Sequence, residues 1–391
     1  MQPLFITHFA LANPLGLGAK ATLAALQTRR PGLRPNDFDE APLATYIGRV
    51  EGLEEKPVKA ELREFDCRNN RLAQVGLAQD GFEDAVARAR TKYGAARIAV
   101  LIGTSTSGIL ETERAYRSRA GDGSLPASLN YRGSHNVFSV ADFVRRSLRL
   151  EGPAAAISTA CSSSAKVFAN AYRFIRSGLC DAAVVGGVDT LCGTTLYGFN
   201  SLELLSGLPC RPCDEKRDGI SIGEAAGFAL VAREGGAEFA LWGFGESSDA
   251  HHMSSPHPEG EGACLAMSEA LRRAGLAAEE IDYINLHGTA TRANDAAEDA
   301  AVFRLFGGDI PISSTKGWTG HALGAAGISE AIISLLCLRE DFIPGTLNTT
   351  RVDPRLKSRI AVAAERRTLK HVLSNSFGFG GNNCSLIFSK T

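Results

Sequence analysis

A cysteine stands at a predicted strand-to-helix junction, where a thiol can act as a nucleophile. The stretch "ISTACSSSAKVFANAYRFIRSG" places Cys161 between an apolar run that ends at Ile157 and a segment with helical periodicity. Val167, Ala171 and Phe174 recur at three- and four-residue spacing, which predicts a helix with one buried face. The unpaired N–H groups and positive dipole end at the start of such a helix favour a thiolate. Cys161 is therefore a candidate low-pKa nucleophile, and the alternative is a small residue needed for tight packing.

Two of the eight histidines are placed to assist such a nucleophile. The stretch "NLHGTAT" sets His287 at the end of a predicted buried strand, followed by Thr289 and Thr291. The stretch "STKGWTGHALGAAG" sets His321 just before a run of small residues, with Lys316 five positions upstream. Acyl transfer needs a nucleophile together with donors for the developing oxyanion charge. With the cysteine, the two histidines thus form a candidate acyl-transfer site.

A segment near the C-terminus alternates glycine with aromatic residues. In "SNSFGFGGNN" the two rings are Phe377 and Phe379. Glycine lets a backbone approach a ligand closely, and a neighbouring ring can cover that ligand. The segment is predicted either as a strand with bulges or as a loop that supplies an oxyanion-binding N–H and gates a pocket.

The composition of the 391-residue chain is that of an ordinary globular protein, with 44% apolar and 22% charged residues. No long apolar run and no basic N-terminal flank is present, so we expect a cytoplasmic protein without a membrane partner. The net charge of −1 argues against nucleic acid as a partner. Cys210 and Cys213 lack the second ligand pair of a zinc site, so we expect no metal and mostly free thiols.

Apolar runs punctuated by glycine alternate with alanine-rich helical stretches along the whole chain, which predicts an α/β fold with largely buried sheets. The stretches that contain Cys161 and His321 both run from a short strand, through Ser or Thr, into an Ala-rich helix. This similarity suggests an internal duplication. We predict two halves, residues 1–235 with the cysteine and residues 236–391 with both histidines, divided at Gly235–Gly236.

Four motifs resemble, in the same order, those of the β-ketoacyl-acyl-carrier-protein synthases, the elongating condensing enzymes of the thiolase-fold superfamily. "STACSSSA" is similar to their nucleophile motif, "HGTAT" to the first histidine motif, "STKGWTGHALGAAG" to the lysine–histidine motif and "NSFGFGGNN" to the closing loop. The resemblance covers nearly the whole chain. It implies a thiolase-like duplicated α/β fold, layered α-β-α-β-α, with two five-stranded mixed sheets.

The resemblance also implies an acyltransferase and assigns roles to the motif residues. Cys161 would carry an acyl chain as a thioester, and His287 and His321 would donate hydrogen bonds to the thioester carbonyl of malonyl-carrier protein as carbon dioxide leaves. The backbone N–H groups of Cys161 and Phe379 would form the oxyanion hole. No bound cofactor is implied, because the substrates arrive on the phosphopantetheine of an acyl carrier protein.

Other residues are implied to support the site or to bind substrate. Lys316 and Glu298 would form an ion pair that fixes the loops carrying the histidines. The pantetheine arm or the acyl chain would contact four side chains, which are Thr289, Thr291, Thr106 and Phe377.

Two departures from the family pattern concern the pathway. "HGTATRAND" carries Arg292 and Asn294 where many members have Pro and Gly, and is more similar to polyketide-type synthases. In "GTSTSGI", Thr106 replaces a bulky apolar residue expected near the acyl pocket. Fatty-acid and polyketide or polyene synthesis both stay open, and we favour a specialised pathway such as aryl-polyene synthesis.

The expected partner is an acidic acyl carrier protein, docked at Arg68 and Arg71 of "FDCRNNRLAQ", although these arginines are equally typical of a solvated helix face. We expect a homodimer formed through the half that contains the cysteine, with a heterodimer containing a chain-length-factor-like subunit as the alternative. Two other functions stay open. One is a non-catalytic subunit of the chain-length-factor type, and the other is a thiolase-type acyltransferase that uses coenzyme A, for which Cys384 would be the second cysteine.

Overall fold

The computed structural model describes residues 1–234 and 236–391. The N-terminal part of the chain alternates strands with helices as its glycine-punctuated apolar runs predict. Its strands are β1 Leu4–Asn13, β2 Gly16–Leu17, β3 Leu33–Pro35, β4 Tyr46–Gly48, β5 Ile98–Gly103, β6 Ala154–Ile157, β7 Ala182–Asp189, β8 Ile222–Gly223 and β9 Ala225–Ala232. Its helices are α1 Ala19–Gln27, α2 Arg68–Leu77, α3 Phe82–Tyr93, α4 Ile109–Arg117, α5 Ser139–Ser147, α6 Ser163–Arg176 and α7 Gly193–Ser201.

The C-terminal part repeats this alternation. Its strands are β10 Phe239–Ser248, β11 Tyr283–Asn285, β12 Pro311–Ser313, β13 Phe342–Ile343, β14 Arg359–Ile360, β15 Glu365–Arg366, β16 His371–Gly378 and β17 Asn382–Lys390. Its helices are α8 Glu261–Ala274, α9 Arg292–Phe306, α10 Lys316–Thr319 and α11 Ala326–Glu340. Short helical turns connect these elements at Ala60–Phe65, Ala95–Arg97, Tyr131–His135, Ala278–Glu280, Leu323–Ala325 and Phe379–Gly381.

The two halves share one strand order. The N-terminal sheet runs β6-β5-β7-β9-β1 and the C-terminal sheet runs β12-β11-β16-β17-β10, so each half orders its five successive strands 3-2-4-5-1. An antiparallel pairing of residues 4–6 of β1 with residues 239–241 of β10 joins the two sheets, and β14 extends the second. The first five-strand repeat ends with β9, and the second begins with β10. Gly235, at the predicted seam, lies outside the described residues.

The predicted layering is present, with helices between and outside the two sheets. Helices α6 and α11 pack against each other in the central layer, and α11 is buried along nearly its whole length because both of its sides are covered. Helices α2, α3 and α5 cover the outer face of the N-terminal sheet, and α8 covers the C-terminal sheet with α9 beside it. Gly103, the last residue of β5, has no room for a side chain, because a Cβ there would lie 2.4 Å from the backbone nitrogen of Ser164. The start of α6 is thereby pressed against the end of a central strand.

No helix within the described ranges has both the length and the apolar character needed to cross a bilayer.

Candidate active site

Cys161 lies in a tight turn between β6 and α6, and hydroxyl groups hold this turn in place. The preceding residue, Ala160, has a φ of 52°, a left-handed conformation that a residue with a side chain rarely adopts. Its carbonyl accepts hydrogen bonds from Ser163 Oγ at 2.6 Å and from Ser105 Oγ at 3.2 Å. Thr159 N–H in turn donates to Ser163 Oγ at 2.9 Å. The serine-rich motif therefore stabilises the strained turn that presents the thiol.

The thiol is buried beside one histidine and one backbone N–H. Cys161 is 6% exposed, its Sγ lies 3.0 Å from His321 Nε2, and the backbone N–H of Phe379 is near enough to stabilise the thiolate form. Burial raises the pKa of the Cys161 thiol to about 11, and the positive charge of Lys316 and the Phe379 N–H oppose this shift only in part. The prediction of a low-pKa thiol is wrong, because the loss of solvation outweighs the favourable position at a helix start.

Both candidate catalytic imidazoles are neutral, and in each the proton lies on Nε2, on the side of the ring away from the group that contacts Nδ1. Leu323 N–H donates to His321 Nδ1 at 3.3 Å, and the Lys316 ammonium, which can only donate, lies 3.3 Å from His287 Nδ1. Since each Nδ1 accepts, the proton of each neutral ring is on Nε2. Burial, reinforced by the charge of Lys316, holds the pKa of His287 and the pKa of His321 well below 6.5.

The three predicted catalytic side chains form one cluster. The ring centroids of His287 and His321 are 5.3 Å apart with an interplanar angle of 82°. One ligating atom from each ring and the sulfur of Cys161 all lie within 4.8 Å of one another. The cluster therefore combines a thiol with two N–H donors in a buried site, where such donors act strongly on developing negative charge.

Lys316 forms its buried ion pair with Glu330 and not with Glu298. Its ammonium also donates to the carbonyl oxygen of His287. Glu298 instead accepts the backbone N–H groups of His287 and Gly288, both at 2.8 Å. The predicted Lys316–Glu298 pair is therefore wrong. Both residues still hold the His287 loop, since Lys316 fixes the ring tautomer while Glu298 fixes the backbone.

A cavity of about 360 Å³ leads from the surface to the thiol. Three of the four predicted substrate-contacting residues line it, namely Thr289, Thr291 and Phe377, together with Phe379, the predicted oxyanion-hole residue. The hydroxyl groups of the two threonines are 3.0 Å apart, and the ring of Phe379 packs on Phe199 with centroids 5.6 Å apart. The cavity is mostly apolar with polar groups at defined points, as expected of a site for a narrow substrate arm.

Thr106 does not line this cavity. Its backbone N–H and its hydroxyl both donate to Asp189, at 2.9 and 2.8 Å. Asp189 also accepts the Thr104 hydroxyl at 2.7 Å and the Gly324 N–H at 2.6 Å, which ties the loop after β5 to the turn that follows His321. Burial raises the pKa of the Asp189 carboxyl, and these hydrogen bonds oppose that shift. Asp189 is thus a positioning residue for two loops of the site.

Arg68 is not available for docking a partner. It is buried on α2 and donates to Glu224 from Nε at 3.1 Å and from Nη2 at 2.6 Å. The prediction of a docking role for Arg68 is wrong, because the arginine neutralises a buried carboxylate. Arg71 is partly exposed and binds both oxygens of Asp66, at 2.7 and 2.8 Å, and its docking role stays a prediction.

Three other cysteines that the sequence raised are buried away from the thiol. Cys384 lies on β17 opposite Ser376 and does not line the cavity, so it is not placed as a second catalytic cysteine. Cys210 donates its S–H to the carbonyl oxygen of Lys316 at 3.2 Å, and Cys213 packs in the apolar cluster beneath α8 and α9.

Two functional residues were missed from the sequence. Glu330 is a charged residue inside the otherwise apolar segment "AGISEAIISLLCL", and Asp189 ends the fully buried strand "AAVVGGVD". Charged residues are rarely buried unless they are paired, so an acid inside an apolar element is the signal that would have identified both.

Comparison with known proteins agrees with this geometry. The family model described as Beta-ketoacyl synthase, N-terminal domain matches residues 2–237, and Beta-ketoacyl synthase, C-terminal domain matches residues 239–350. The 3-oxoacyl-[acyl-carrier-protein] synthase 2 of Vibrio cholerae is 33% identical over 98% of each chain. The protein of the same name from Rhizobium meliloti is 34% identical over 100% of this chain and 99% of its own length.

Solved structures show the same likeness. A ketosynthase, ApeO, in complex with its chain length factor, ApeC, from Xenorhabdus doucetiae has a TM-score of 0.91 and 38% identity, covering 100% of this chain and 98% of that chain. A beta-ketoacyl synthase from Burkholderia phymatum has a TM-score of 0.89 and 29% identity over 100% of both chains. These matches confirm the thiolase-like fold. The chain belongs to the β-ketoacyl synthase family and is a condensing acyltransferase.

Proposed function

We propose that the protein catalyses decarboxylative Claisen condensation of malonyl-acyl carrier protein with an acyl chain held on Cys161. The observation that carries this proposal is the thiol 3.0 Å from His321 Nε2, with His287 beside it as a second neutral donor. A decarboxylating site needs donors for an enolate oxygen, and imidazoles with depressed pKa values supply hydrogen bonds without passing on a proton irreversibly.

In the first half-reaction, the sulfur of Cys161 attacks the thioester carbonyl of an acyl-carrier protein. The oxyanion of the tetrahedral intermediate is held by backbone N–H groups, for which those of Cys161 and Phe379 are the candidates. The intermediate collapses by breaking the bond to the pantetheine sulfur. The proton of the Cys161 thiol ends on the departing arm, so the step needs no external base in its overall balance.

In the second half-reaction, the malonyl-phosphopantetheine arm of the carrier protein enters through the cavity lined by Thr289 and Thr291. His287 and His321 donate to its thioester carbonyl while the carboxylate leaves as carbon dioxide and its bonding pair becomes the enolate. The enolate carbon attacks the acyl carbonyl on Cys161, and collapse of that adduct releases the β-ketoacyl chain on the carrier. The Cys161 thiolate then takes up one proton.

The proposed partners are an acyl carrier protein, which brings both substrates on its phosphopantetheine, and a second subunit of the same fold. Strand β6 ends the N-terminal sheet and pairs, within the described residues, on one side only. Its four residues are half-buried and apolar, which suits continuation of the sheet by another subunit. Both a second copy and a chain-length-factor-like subunit fit this edge, and the 38% identity to a ketosynthase solved with its chain length factor supports the latter.

We also propose a specialised pathway of the polyene type, including aryl-polyene synthesis. Arg292 and Asn294, which depart from the usual family motif, support this proposal, together with the 38% identity to a ketosynthase solved with its chain length factor. An adduct profile of Cys161 against saturated, polyunsaturated and aryl carrier-bound chains tests this. Preference for saturated chains alone would point to primary fatty-acid synthesis.

Mass spectrometry of the intact protein tests the activity itself. Incubation with acyl-carrier protein is expected to add one acyl group, and Cys161→Ala is expected to abolish that adduct. Absence of any adduct on the wild type would favour a non-catalytic subunit, an alternative that the assembled thiol and histidines argue against. Turnover of acetyl-coenzyme A without use of malonyl-carrier protein would favour a thiolase-type reaction, which the position of Cys384 does not support.

A further inference from the structure

A second surface cavity, of about 410 Å³, lies along α9 next to the entrance of the active site. One wall is the exposed side of α9, which presents Arg292, Ala296, Ala300 and Arg304 at four-residue intervals. The facing wall is the segment that contains Arg355 and Lys357. We call the space between these two walls the α9 groove.

The shape of the α9 groove suits another helix. Residues four apart lie on one face of a helix, so the two alanines form a flat floor between two arginines. At a rise of about 1.5 Å per residue, Arg292 and Arg304 are separated by roughly 18 Å, or about three turns. Small side chains allow two helix axes to approach closely, at about 8 Å. Phe303, which is 39% exposed, adds an apolar contact at the far end.

The charge of the α9 groove is positive and largely uncompensated. Within the described part of the chain, Arg292, Arg304 and Lys357 have no carboxylate within 4.0 Å. The acids that line the groove are already engaged. Asp353 is paired with Arg217 and Arg355, both at 2.7 Å, and Asp299 accepts the backbone N–H groups of Lys357 and Ser358, both at 2.9 Å.

The α9 groove is continuous with the entrance to the active site. Arg292 lines both cavities, and the adjoining Thr291, Ala293 and Asn294 line the one that reaches Cys161. A partner seated along α9 would therefore hold any attached flexible arm at the mouth of the active-site cavity. Neither Arg68, which is buried, nor Arg71, which is bound to Asp66, offers such an arrangement.

We propose that the α9 groove docks an acidic helix of the acyl carrier protein, so that the carrier's phosphopantetheine enters beside Arg292. This inference rests on the proposed function, since it names the surface by which that substrate carrier is recognised. Complementary charge at the edge of the groove accelerates association with the carrier protein and fixes the carrier's orientation. The small alanine side chains on the floor of the groove let the carrier's helix approach α9 closely. Arg304 and Lys357 line the α9 groove but not the active-site cavity, and they are the discriminating positions.

The test combines a charge-reversed variant with a matched control. Arg304→Glu/Lys357→Glu inverts two charges of the groove, and Lys20→Glu inverts an exposed lysine on α1 that lines neither cavity. Binding of a fluorescently labelled bacterial holo-acyl carrier protein and acylation of Cys161 by the octanoyl form of that carrier are measured. Acylation by octanoyl-pantetheine, which has no protein part, is the reference reaction. Thermal melting verifies that each variant is folded.

The expected result is a loss specific to the carrier protein. The double variant should bind the carrier about tenfold or more weakly and lose most of the salt dependence of binding, while octanoyl-pantetheine still acylates Cys161 at the rate of the wild type. Lys20→Glu should match the wild type in both assays. If carrier binding by the double variant equals that of the wild type, or if the wild type binds no carrier, the docking proposal is overturned.

These outcomes separate the docking surface from the proposed function. Lack of a Cys161 adduct with either donor in the wild type would refute the function, and the binding assay would still decide whether the carrier occupies the α9 groove. An equal loss of acylation with octanoyl-carrier protein and with octanoyl-pantetheine would overturn the docking proposal, because the pantetheine donor has no protein part.

Discussion

Arg68→Met is predicted to reduce stability rather than carrier recognition, although the sequence assigned this arginine to docking. Its guanidinium neutralises Glu224, which is fully buried and makes two hydrogen bonds with it, at 3.1 and 2.6 Å. Glu224 also accepts the N–H groups of Val50 at 2.7 Å and Leu191 at 3.1 Å. Methionine has a similar stem without the charge, so the variant leaves this carboxylate with only neutral donors.

The expected cost is large. Each charge-assisted hydrogen bond contributes about 1.5–3 kcal/mol, so the two bonds lost to Glu224 amount to roughly 3–6 kcal/mol. The bond from Arg68 Nη1 to Glu54, whose side chain is 49% exposed, is lost as well and adds little. Leaving one partner of a buried pair uncompensated costs about 3–5 kcal/mol by direct comparison, in agreement with that sum. Since a native domain is stable by only about 5–15 kcal/mol, this loss removes a large share of the free energy of unfolding.

Urea unfolding followed by circular dichroism measures the effect, and Arg71→Met is the matched control on the same helix. Arg71 and Asp66 have side chains 24% and 26% exposed, so that control should cost about 1 kcal/mol or less. Arg68→Met/Glu224→Gln should recover part of the loss, because the amide keeps an acceptor oxygen but carries no charge. A loss under about 1 kcal/mol for Arg68→Met, together with weakened carrier binding, would refute the reasoning and restore α2 as the docking surface.

Three further predictions concern the site. Lys316→Met should move the acid limb of the pH–rate profile of malonyl decarboxylation to higher pH. Loss of the ammonium raises the pKa of His287, so the neutral imidazole becomes protonated at a higher pH on acidification. An unchanged pH–rate profile would contradict this. The rate at which iodoacetamide alkylates Cys161, measured by peptide mass spectrometry, should rise about tenfold per pH unit from about pH 7 to about pH 10. The reason is that only the thiolate reacts and the pKa of the thiol is about 11. A plateau of the rate near pH 8 would show a low-pKa thiol. Asp189→Asn replaces one acceptor oxygen by an NH2 group that faces the N–H and hydroxyl donors of Thr106. It should reduce the free energy of unfolding in urea by about 1–3 kcal/mol and lower kcat. Wild-type values for both quantities would exclude a positioning role for Asp189.

The residues that could be identified from the sequence are those whose role depends on local pattern. The helix after Cys161 follows from its three- and four-residue apolar spacing, and α6 indeed runs over Ser163–Arg176. His287 and His321 stand out because each follows a buried strand in a segment of small and hydroxylated residues. The structure brings these two segments together because β11 and β12 are parallel neighbours, whose carboxyl ends lie at one edge of the sheet.

The contacts that could not be predicted join residues far apart in the chain. Lys316 pairs with Glu330 rather than Glu298, because both acids approach the same loop and only the path of α11 decides which one reaches the ammonium. Arg68 resembles an exposed docking residue on its own helix. Its partner, Glu224, comes from another segment 156 positions away.

The sequence by itself determined which atoms are able to react: a thiol at a helix start, two imidazoles at strand ends and a glycine-rich segment that closes over them. Tertiary structure decided the state of those atoms. Burial between two sheets raises the pKa of the Cys161 thiol and lowers the pKa of both histidines, because solvation is lost from every charged form at once. Packing also decided which cations remain exposed. The arginines of α9 lie at the surface while Arg68 is buried, since exposure is a property of the folded surface and not of residue type.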